Sequence, residues 1–458
     1  MSEIATYLEQ NGARFEEELE EFLRIPSVST ESRYAADVRR CAEWLRDHLE
    51  AAGVEQVEIV PTSEGHPIVL GEHRAGPDAP TVLLYGHYDV QPTDPEDLWT
   101  SPPFEPDVRD GRLYARGAVD DKGQVHMHIK ALETLSRAGG GIPVNVKLVI
   151  EGEEEVGSTN LGSFLREHRE RLACDVVVIS DTGMFAADVP CITMGLRGIV
   201  YEQVTVRGPN RDLHSGTYGG AVVNPANALA SLIAGLKDEN ERVTVPGFYD
   251  RVRPMKEAER EEVASLPFRE EELRADVGAP ELRGETGYSA LERVWFRPTL
   301  DVNGLLSGFT GEGAKTVLPA TAMAKISMRL VPDQDPEEIA AAFEAHVARL
   351  APPGVAVSVE RFHGGQPWAA EASHPVFEAA AAALEKGFGR RPIFIREGGS
   401  IPIVPMFEDT FGAPSLLIGF GLPGSNPHSP NEWLDLGVYH RGIDSLADLY
   451  GQLGSLTI

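Results

Sequence analysis

The stretch that decides the fold is Thr81-Val-Leu-Leu-Tyr-Gly-His-Tyr-Asp-Val-Gln-Pro92. Its first half is a short apolar run with β-branched content, which predicts a buried strand bounded by Pro80 and Gly86. His87 and Asp89 follow two residues apart, so on extended backbone their side chains point the same way. This suits a metal ligand whose ring is oriented by a carboxylate. Taken alone, the stretch slightly favours an ordinary loop histidine beside a solvated aspartate.

Length and composition limit the class of protein. The chain has 458 residues, more than one core usually supports, so we expect two domains. No apolar run is long enough to span a bilayer, and Met1 to Glu20 lacks the apolar segment of a signal peptide. The three cysteines, Cys41, Cys174 and Cys191, have no CxxC spacing, which favours a reduced, cytoplasmic protein. The 41 basic and 71 acidic residues give a net charge of −30, which argues against nucleic acid and anionic membranes as partners.

The order of predicted strands and helices gives the architecture. Alternating strands and helices over residues 1–196 predict an α/β catalytic domain with a mostly parallel mixed sheet covered by helices. From about Arg197 the order becomes β-α-β-β-α-β, which predicts an inserted α+β two-layer sandwich of ferredoxin-like type over residues 197–365. The first domain then resumes over residues 366–458.

Five local predictions are tested below. The pattern predicts helices over Leu161–Leu172 and Ala370–Phe388 and a strand near Trp295–Val302. The segment Met255–Arg293 is dense in Glu and Arg, so we interpret it as a solvated helical surface without a site. His126 and His128 match no motif and are interpreted as structural.

Four of the predicted strands end in candidate metal ligands: His87, the run Glu153–Glu155, Asp181 and His428. Asp120 opens a further turn just ahead of a helix. In open α/β sheets, sites form outside the carboxyl ends of the strands. We therefore expect these distant residues to converge.

The residue types limit the chemistry. Two histidines with three or four carboxylates suit Zn²⁺, Mn²⁺ or Co²⁺ rather than an all-oxygen Ca²⁺ site. The carboxylates are too many for one ion and would repel each other without metal, which favours two ions roughly 3.5–4 Å apart. Such a pair needs a bridging carboxylate and a base that binds no metal. Glu154 and Glu155 could divide the roles of base and ligand between them; a solvated acidic turn is the alternative.

Together these residues resemble a known family. The segments that carry the resemblance are Gly86-His-Tyr-Asp-Val-Gln-Pro, Arg116-Gly-Ala-Val-Asp-Asp-Lys-Gly, Glu151-Gly-Glu-Glu-Glu-Val-Gly-Ser, Ser180-Asp and Pro427-His-Ser. They are similar, in this order, to the di-zinc metallopeptidase family of carnosinase, peptidase V, aminoacylase and carboxypeptidase G. The resemblance covers nearly the whole chain and implies two ions, with zinc favoured over manganese or cobalt.

The resemblance also implies a role for each site residue. One ion would be held by His87, Asp120 and Asp181, and the other by Asp120, Glu155 and His428, with Asp120 bridging. Glu154 would be the general base and Asp89 the residue that orients His87. The peptide bond between Asp120 and Asp121 is expected to be cis.

Finer features resemble the cytosolic dipeptidase branch of that family. Asp181 stands where deacylases and desuccinylases tend to have glutamate. Asp212-Leu-His-Ser-Gly-Thr-Tyr-Gly-Gly resembles a lid segment whose histidine, here His214, reaches the partner subunit's active site, which implies a homodimer. Thr316, Arg329 and Ser400 lie in segments that resemble substrate-binding segments.

The expected function is therefore zinc-dependent hydrolysis of dipeptides, with a bridging water as nucleophile. An N-acyl amino acid amidohydrolase of the deacylase or desuccinylase type on the same scaffold is the alternative. A non-catalytic metal-binding homologue is more remote, because both Glu154 and Glu155 are present and loss of the base would mark a silent relative. The sequence leaves the preferred side chains open.

Overall fold

The protein is described here by a computed structural model that covers residues 3–63 and 65–457. Its α-helices are α1 (Glu3–Leu23), α2 (Ala35–Ala51), α3 (Lys122–Ala138), α4 (Leu161–Glu167), α5 (Ser215–Tyr218), α6 (Pro225–Ala234), α7 (Glu257–Ser265), α8 (Glu270–Asp276), α9 (Ala290–Phe296), α10 (Pro336–Leu350), α11 (Pro375–Phe388), α12 (Ile403–Phe411) and α13 (Leu436–Leu453). None of the helices in the described part of the chain is both long enough and apolar enough to cross a membrane.

The strands are β1 (Gln56–Val60), β2 (Ile68–His73), β3 (Thr81–His87), β4 (Asp107–Arg109), β5 (Arg112–Tyr114), β6 (Asn145–Glu151), β7 (Val176–Ile179), β8 (Cys191–Leu196), β9 (Gly198–Arg207), β10 (Leu213–His214), β11 (Thr299–Ser307), β12 (Val317–Leu318), β13 (Thr321–Leu330), β14 (Ala356–Gly365), β15 (Trp368–Ala369), β16 (Ile393–Glu397), β17 (Ser415–Leu417) and β18 (Trp433–Asp435). Short 3-10 helices occupy Ser32–Tyr34, Glu96–Leu98 and Glu154–Val156. In the described part of the chain, none of the three cysteines forms a disulfide bond.

The chain forms two compact units. The first comprises residues 1–194, 370–395 and 406–458, and the second comprises residues 195–369 and 396–405. These limits differ from the predicted domain boundaries by a few residues at the two ends of the insertion. The segment 396–405, expected in the first domain, groups with the second unit.

The first unit is built on a mixed sheet in which the strands run β1-β2-β6-β3-β7-β17-β8. The central strands β6, β3, β7 and β17 are parallel to one another, and antiparallel pairs flank them. Strand β7 reads Val-Val-Val-Ile and is wholly buried, as expected for a strand covered on both faces. The four strands predicted to end in candidate ligands are these four parallel strands, so their carboxyl ends lie at one edge of the sheet.

The second unit contains a four-stranded antiparallel sheet in the order β11-β13-β9-β14. Helices α6 and α10 pack on this sheet. In chain order the elements are β9-α6-β11-β13-α10-β14, which is the split βαβ arrangement expected from the sequence. Strands β9 and β13 alternate buried and half-buried residues, because one face is covered by the helices and the other is not.

Three of the local predictions are wrong in their limits. Trp295 belongs to helix α9, where Ser289 and Glu292 form a capping box, so the strand begins only at Thr299. The alanine-rich helix begins at Pro375 rather than at residue 370, because proline is favoured in the first helical turn. Helix α4 ends at Glu167, five residues earlier than predicted.

The segment Met255–Arg293 is largely the exposed helical surface that its composition predicts. In α7 and α8 only Val263 is buried. One feature was not predicted: Glu285 is buried and accepts two hydrogen bonds of 2.7 Å from the Arg297 guanidinium. Arg242 adds a third at 2.7 Å, so this ion cluster fixes the segment from within the second unit.

A second buried carboxylate of this unit has no such partner. Glu202 on β9 is fully buried, and neither of its carboxylate oxygens has a hydrogen-bond partner among the described residues. The nearest cation, Arg361, lies 3.7 Å away and is also paired with Glu337 and Glu344. Burial, and then repulsion from Glu344, raises the pKa of Glu202 to about 8. A proton is therefore held in the folded protein at pH values where the unfolded chain would release it.

We expect Glu202→Gln to flatten the pH dependence of stability. The folded-state pKa of about 8 exceeds the ordinary value of 4.5, so the folded protein binds more protons between these values and loses stability as pH rises through them. The loss for one such group is up to about 1.4 kcal/mol per pH unit. Thermal unfolding can be followed by circular dichroism at about pH 5.5 and about pH 8. The stability of the variant relative to the wild type should be greater at the higher pH.

Glu360→Gln is the matched control, because Glu360 lies exposed on the neighbouring strand β14. This control should not change the pH dependence. Equal behaviour of Glu202→Gln and the wild type at both pH values would contradict a raised pKa at Glu202.

Candidate metal centre

The candidate ligands meet in the first unit as two overlapping clusters. His87, Asp120 and Asp181 form one cluster, and Asp120, Glu155 and His428 form the other. Within each cluster the candidate ligand atoms all lie within 4.8 Å of one another. Asp120 is common to both, so the convergence expected from the strand ends is present.

His87 is the last residue of β3 and is fully buried. Its Nε2 lies 3.1 Å from Asp120 Oδ1 and 3.9 Å from Asp181 Oδ1. Its Nδ1 lies 3.0 Å from the main-chain oxygen of Asp89 and 3.4 Å from the Asp89 carboxylate. The ring is thus held through Nδ1, which leaves Nε2 facing the candidate ligands.

The Asp89 carboxylate has a second set of partners. Its two oxygens accept hydrogen bonds from the main-chain N–H groups of Glu154 and Glu155, at 3.2 and 3.1 Å. These N–H groups open the 3-10 helix Glu154–Val156, where an anion is favoured. Asp89 therefore connects His87 on one strand end to the glutamates that follow another.

The turn that carries Asp120 is fixed by a buried carboxylate that the sequence did not single out. Glu432 is fully buried and forms a 2.7 Å ion pair with Arg116. It also accepts hydrogen bonds from the main-chain N–H groups of Gly117, Val119 and Asp120, at 3.0, 2.8 and 3.1 Å. Glu432 thus holds the backbone on which the shared ligand stands.

The peptide bond between Asp120 and Asp121 is cis, as predicted. Asp121 is buried, and its Oδ2 accepts a 3.3 Å hydrogen bond from the main-chain N–H of His87.

The second cluster joins His428 to two carboxylates. His428 Nε2 lies 2.9 Å from Asp120 Oδ2 and 3.2 Å from Glu155 Oε2. Gln91 also donates a 2.7 Å hydrogen bond to Glu155 Oε2, which fixes the carboxylate. His428 is the exposed member of the site, since 55% of its side chain is accessible.

The charges at the site are unbalanced. Burial and the neighbouring charge of Asp120 raise the pKa of Asp181 well above its usual range. Burial, together with repulsion from Glu155, raises the pKa of Glu154 to about 7. Hydrogen bonds to Asp120 and Glu155 raise the pKa of His428 to about 10. The carboxylates of the site thus favour positive charge at this edge of the sheet.

The donor set suits divalent cations with mixed nitrogen and oxygen preference. Each cluster offers one imidazole nitrogen and two carboxylates, a combination found with zinc and similar transition metals. Two such ions would neutralise the anionic excess, and a shared carboxylate matches the bridging ligand of two-metal sites. The residues therefore fit the pair of ions expected from the sequence.

The predicted substrate residues all belong to the second unit. Arg329 on β13 donates a 2.8 Å hydrogen bond to Ser400 Oγ, and both side chains are half-buried. His214 on β10 is exposed and accepts a 2.9 Å hydrogen bond from Gly216 N–H at Nδ1. Thr316 precedes β12, the partner strand of β10, and its main-chain oxygen accepts a hydrogen bond from Ser215.

Two histidines interpreted as structural have structural contacts. Buried His126 contacts the hydroxyl of Tyr439, and buried His128 lies between the hydroxyls of Tyr450 and Ser180.

The sequence analysis assigned no role to Glu432, Gln91 and Glu151, although the last two lie within the segments that carry the resemblance. Burial raises the pKa of Glu151 to about 8, and Tyr85 and Ser158 donate hydrogen bonds to it. The only signal for Glu432 and Gln91 was their position next to the ligand segments, four residues after His428 and two after Asp89.

Comparison with known proteins identifies relatives of this chain. Residues 83–452 match the peptidase family M20/M25/M40. The Cys-Gly metallodipeptidase of Candida albicans is 34% identical, with 96% of this chain and 94% of that protein aligned. The Beta-Ala-His dipeptidase of Homo sapiens is 31% identical, over 100% of this chain and 93% of that protein.

Solved structures give the same result. Human carnosine dipeptidase 1 is similar with a TM-score of 0.85 and 31% identity, covering 99% of this chain and 98% of that one. The dipeptidase Dug1p of Saccharomyces cerevisiae has a TM-score of 0.84 and 30% identity, with the same coverage. The chain belongs to the peptidase family M20/M25/M40.

Proposed function

We propose that this peptidase hydrolyses the peptide bond of dipeptides at two divalent metal ions, with zinc favoured over manganese and cobalt. One observation carries the proposal: two ligand clusters share Asp120, while the adjacent Glu154 belongs to neither. Glu154 is half-buried with a pKa of about 7, the range in which a carboxylate accepts and returns a proton at neutral pH. We propose His87, Asp120 and Asp181 for one ion and Asp120, Glu155 and His428 for the other.

Bound ions of this kind polarise a scissile carbonyl and lower the pKa of a water molecule. The residues of the chain supply the remaining steps. Glu154 takes a proton from the attacking water and returns it to the leaving amine. Asp89 keeps this base in place, because its carboxylate accepts hydrogen bonds from the Glu154 and Glu155 N–H groups and its main-chain oxygen contacts the His87 ring.

We propose that Arg329 binds the C-terminal carboxylate of the substrate, with Ser400 and Thr316 as further substrate contacts. Among the described residues Arg329 has no ion-pair partner, and the nearby Arg197 does not have one either. Burial, and then the charge of Arg329, lowers the pKa of Arg197 to about 10. Two half-buried guanidinium groups without carboxylates favour an anionic ligand.

The relatives support a dipeptide over an N-acyl amino acid as substrate. The relatives described above are named for dipeptides, Cys-Gly in one case and Beta-Ala-His in the other. A panel of free dipeptides and N-acetyl amino acids separates the two classes, since an amidohydrolase of the deacylase type would prefer the second set.

We further propose a cytoplasmic homodimer whose active sites are each completed by His214 of the other subunit, where it stabilises the oxyanion. The second unit offers a surface for this assembly. Strand β11 is an edge strand, and three of its apolar side chains are exposed: Val302, Leu305 and Leu306. An exposed apolar edge strand favours pairing with another chain.

Glu154→Gln should retain both metal ions and lower kcat by about 10²–10⁴-fold, because it removes the base and leaves the ligands. Glu155→Gln is the matched control, and it should reduce metal content. Elemental analysis of the purified variants, paired with kinetics, checks both. Loss of a metal ion from Glu154→Gln would mean that the two roles are reversed.

Arg329→Lys should lower kcat/KM for a free dipeptide by about 10–100-fold, since lysine cannot form the bidentate pair with a carboxylate. The same dipeptide with a C-terminal amide serves as the control substrate and should lose much less. Equal losses on both substrates would show that Arg329 does not bind this carboxylate.

Mixing two inactive variants tests the exchange of His214 between subunits. His214→Ala and Glu154→Gln homodimers should each be nearly inactive, whereas a heterodimer contains one site with Glu154 and His214 both intact. Co-refolded mixtures should therefore recover activity. If heterodimers are demonstrated by mass and no activity returns, His214 acts within its own subunit.

A further inference from the structure

A cavity with a volume of about 300 Å³ lies within the second unit. None of the proposed substrate residues lines it. The volume is at the lower end of the range for small-molecule sites, about 300–1,000 Å³.

Arg396 is one of the cations that line this cavity. About a quarter of its side chain is exposed, and its guanidinium lies over the Phe296 ring, 4.4 Å from the centroid. The guanidinium donates no hydrogen bond to any described residue, and the nearest carboxylate oxygen, Glu259 Oε1, is 3.8 Å away. That distance is too long for a hydrogen bond, so the donors of Arg396 are available to a ligand.

The anion of the cavity is Glu259. Its Oε2 accepts a 2.8 Å hydrogen bond from the main-chain N–H of Lys256, which leaves Oε1 facing Arg396. The other charged lining residues are Lys256, which is exposed, and Arg253, whose guanidinium is already paired with Asp333. Among these charged lining residues, Arg396 and Glu259 lie side by side as a cation and an anion.

The cavity also has an apolar wall, which is formed by Phe296, Val331, Pro332 and Met255. An apolar body can be buried against these side chains while charged ends reach Arg396 and Glu259.

We propose that this cavity binds a free α-amino acid with an apolar side chain. The carboxylate of the amino acid pairs with Arg396, its ammonium pairs with Glu259, and its side chain lies against Phe296 and Val331. A zwitterion matches two opposite charges that are close but not hydrogen-bonded to each other. That such an amino acid is also a reaction product rests on the proposed function; the binding site itself does not.

The cavity shares backbone with the proposed carboxylate contacts. Arg396 lies four residues before Ser400, and Val331 lies two residues after Arg329. Arg329 and Ser400 are hydrogen-bonded to each other. A ligand bound at Arg396 and Val331 would therefore contact the two segments that carry this pair.

The test is calorimetric titration of the full-length, metal-loaded protein with L-phenylalanine. An Arg329→Ala background removes the proposed carboxylate contact of the substrate site. Binding should persist in this background, and adding Arg396→Gln should weaken it by at least about tenfold. Glu259→Gln should weaken phenylalanine and leave N-acetylphenylalanine unaffected, because only the free amino acid carries an ammonium. Phenylalaninamide, which lacks the carboxylate, should bind poorly throughout.

Arg391→Gln is the matched control, since Arg391 is exposed, paired with Glu378 and absent from the cavity. It should not change the affinity. The proposal is overturned if phenylalanine shows no saturable binding below about 10 mM, or if Arg396→Gln and Arg391→Gln behave alike. Should Arg396→Gln fail to fold in a thermal melt, the selective loss in Glu259→Gln decides the matter. Binding that disappears in Arg329→Ala alone would place the amino acid at the substrate site and not in this cavity.

Discussion

The first unit depends on one constraint: several carboxylates are crowded at the carboxyl edge of four parallel strands. Burial, together with the charges of neighbouring carboxylates, raises the pKa of Asp181 and of Glu154, so negative charge at this edge needs compensation. Two imidazoles and two divalent ions supply that compensation in the proposed enzyme. The same anions oppose folding and favour metal binding. The free energy of folding and the affinity for metal are therefore linked at this edge.

Two carboxylates that belong to neither ligand cluster are compensated differently. Glu432 accepts three main-chain N–H groups and one guanidinium, and Asp89 accepts two N–H groups of the 3-10 helix. For both carboxylates, fixed groups of the protein supply the hydrogen bonds that water would otherwise donate. The two side chains join separate loops, so they act on the geometry of the site although neither belongs to a ligand cluster.

Much of this fold could be predicted from sequence because its strands are short apolar runs followed directly by functional residues. His87 and Asp181 stood out for that reason, and the parallel order of their strands follows from the alternation with helices. Glu432 could not be identified, because its partners lie more than 300 residues away and leave no local pattern. Trp295 was misassigned because an apolar run in a capped helix resembles a strand. Glu202 fits the alternating pattern of its strand. Only the structure shows that its carboxylate has no hydrogen-bond partner among the described residues.

The position of β17 has a consequence for synthesis of the chain. This strand lies inside the first sheet, between β7 and β8, yet it is made only after the whole of the second unit up to residue 405. The second unit has its four-stranded sheet and two packed helices on one continuous stretch, so it can fold as soon as that stretch is available. The first unit instead keeps an open edge at β7 until its last segment emerges. The insertion can therefore be complete while the first sheet is still unfinished, and His428, which completes the second ligand cluster, follows the strand that closes the gap.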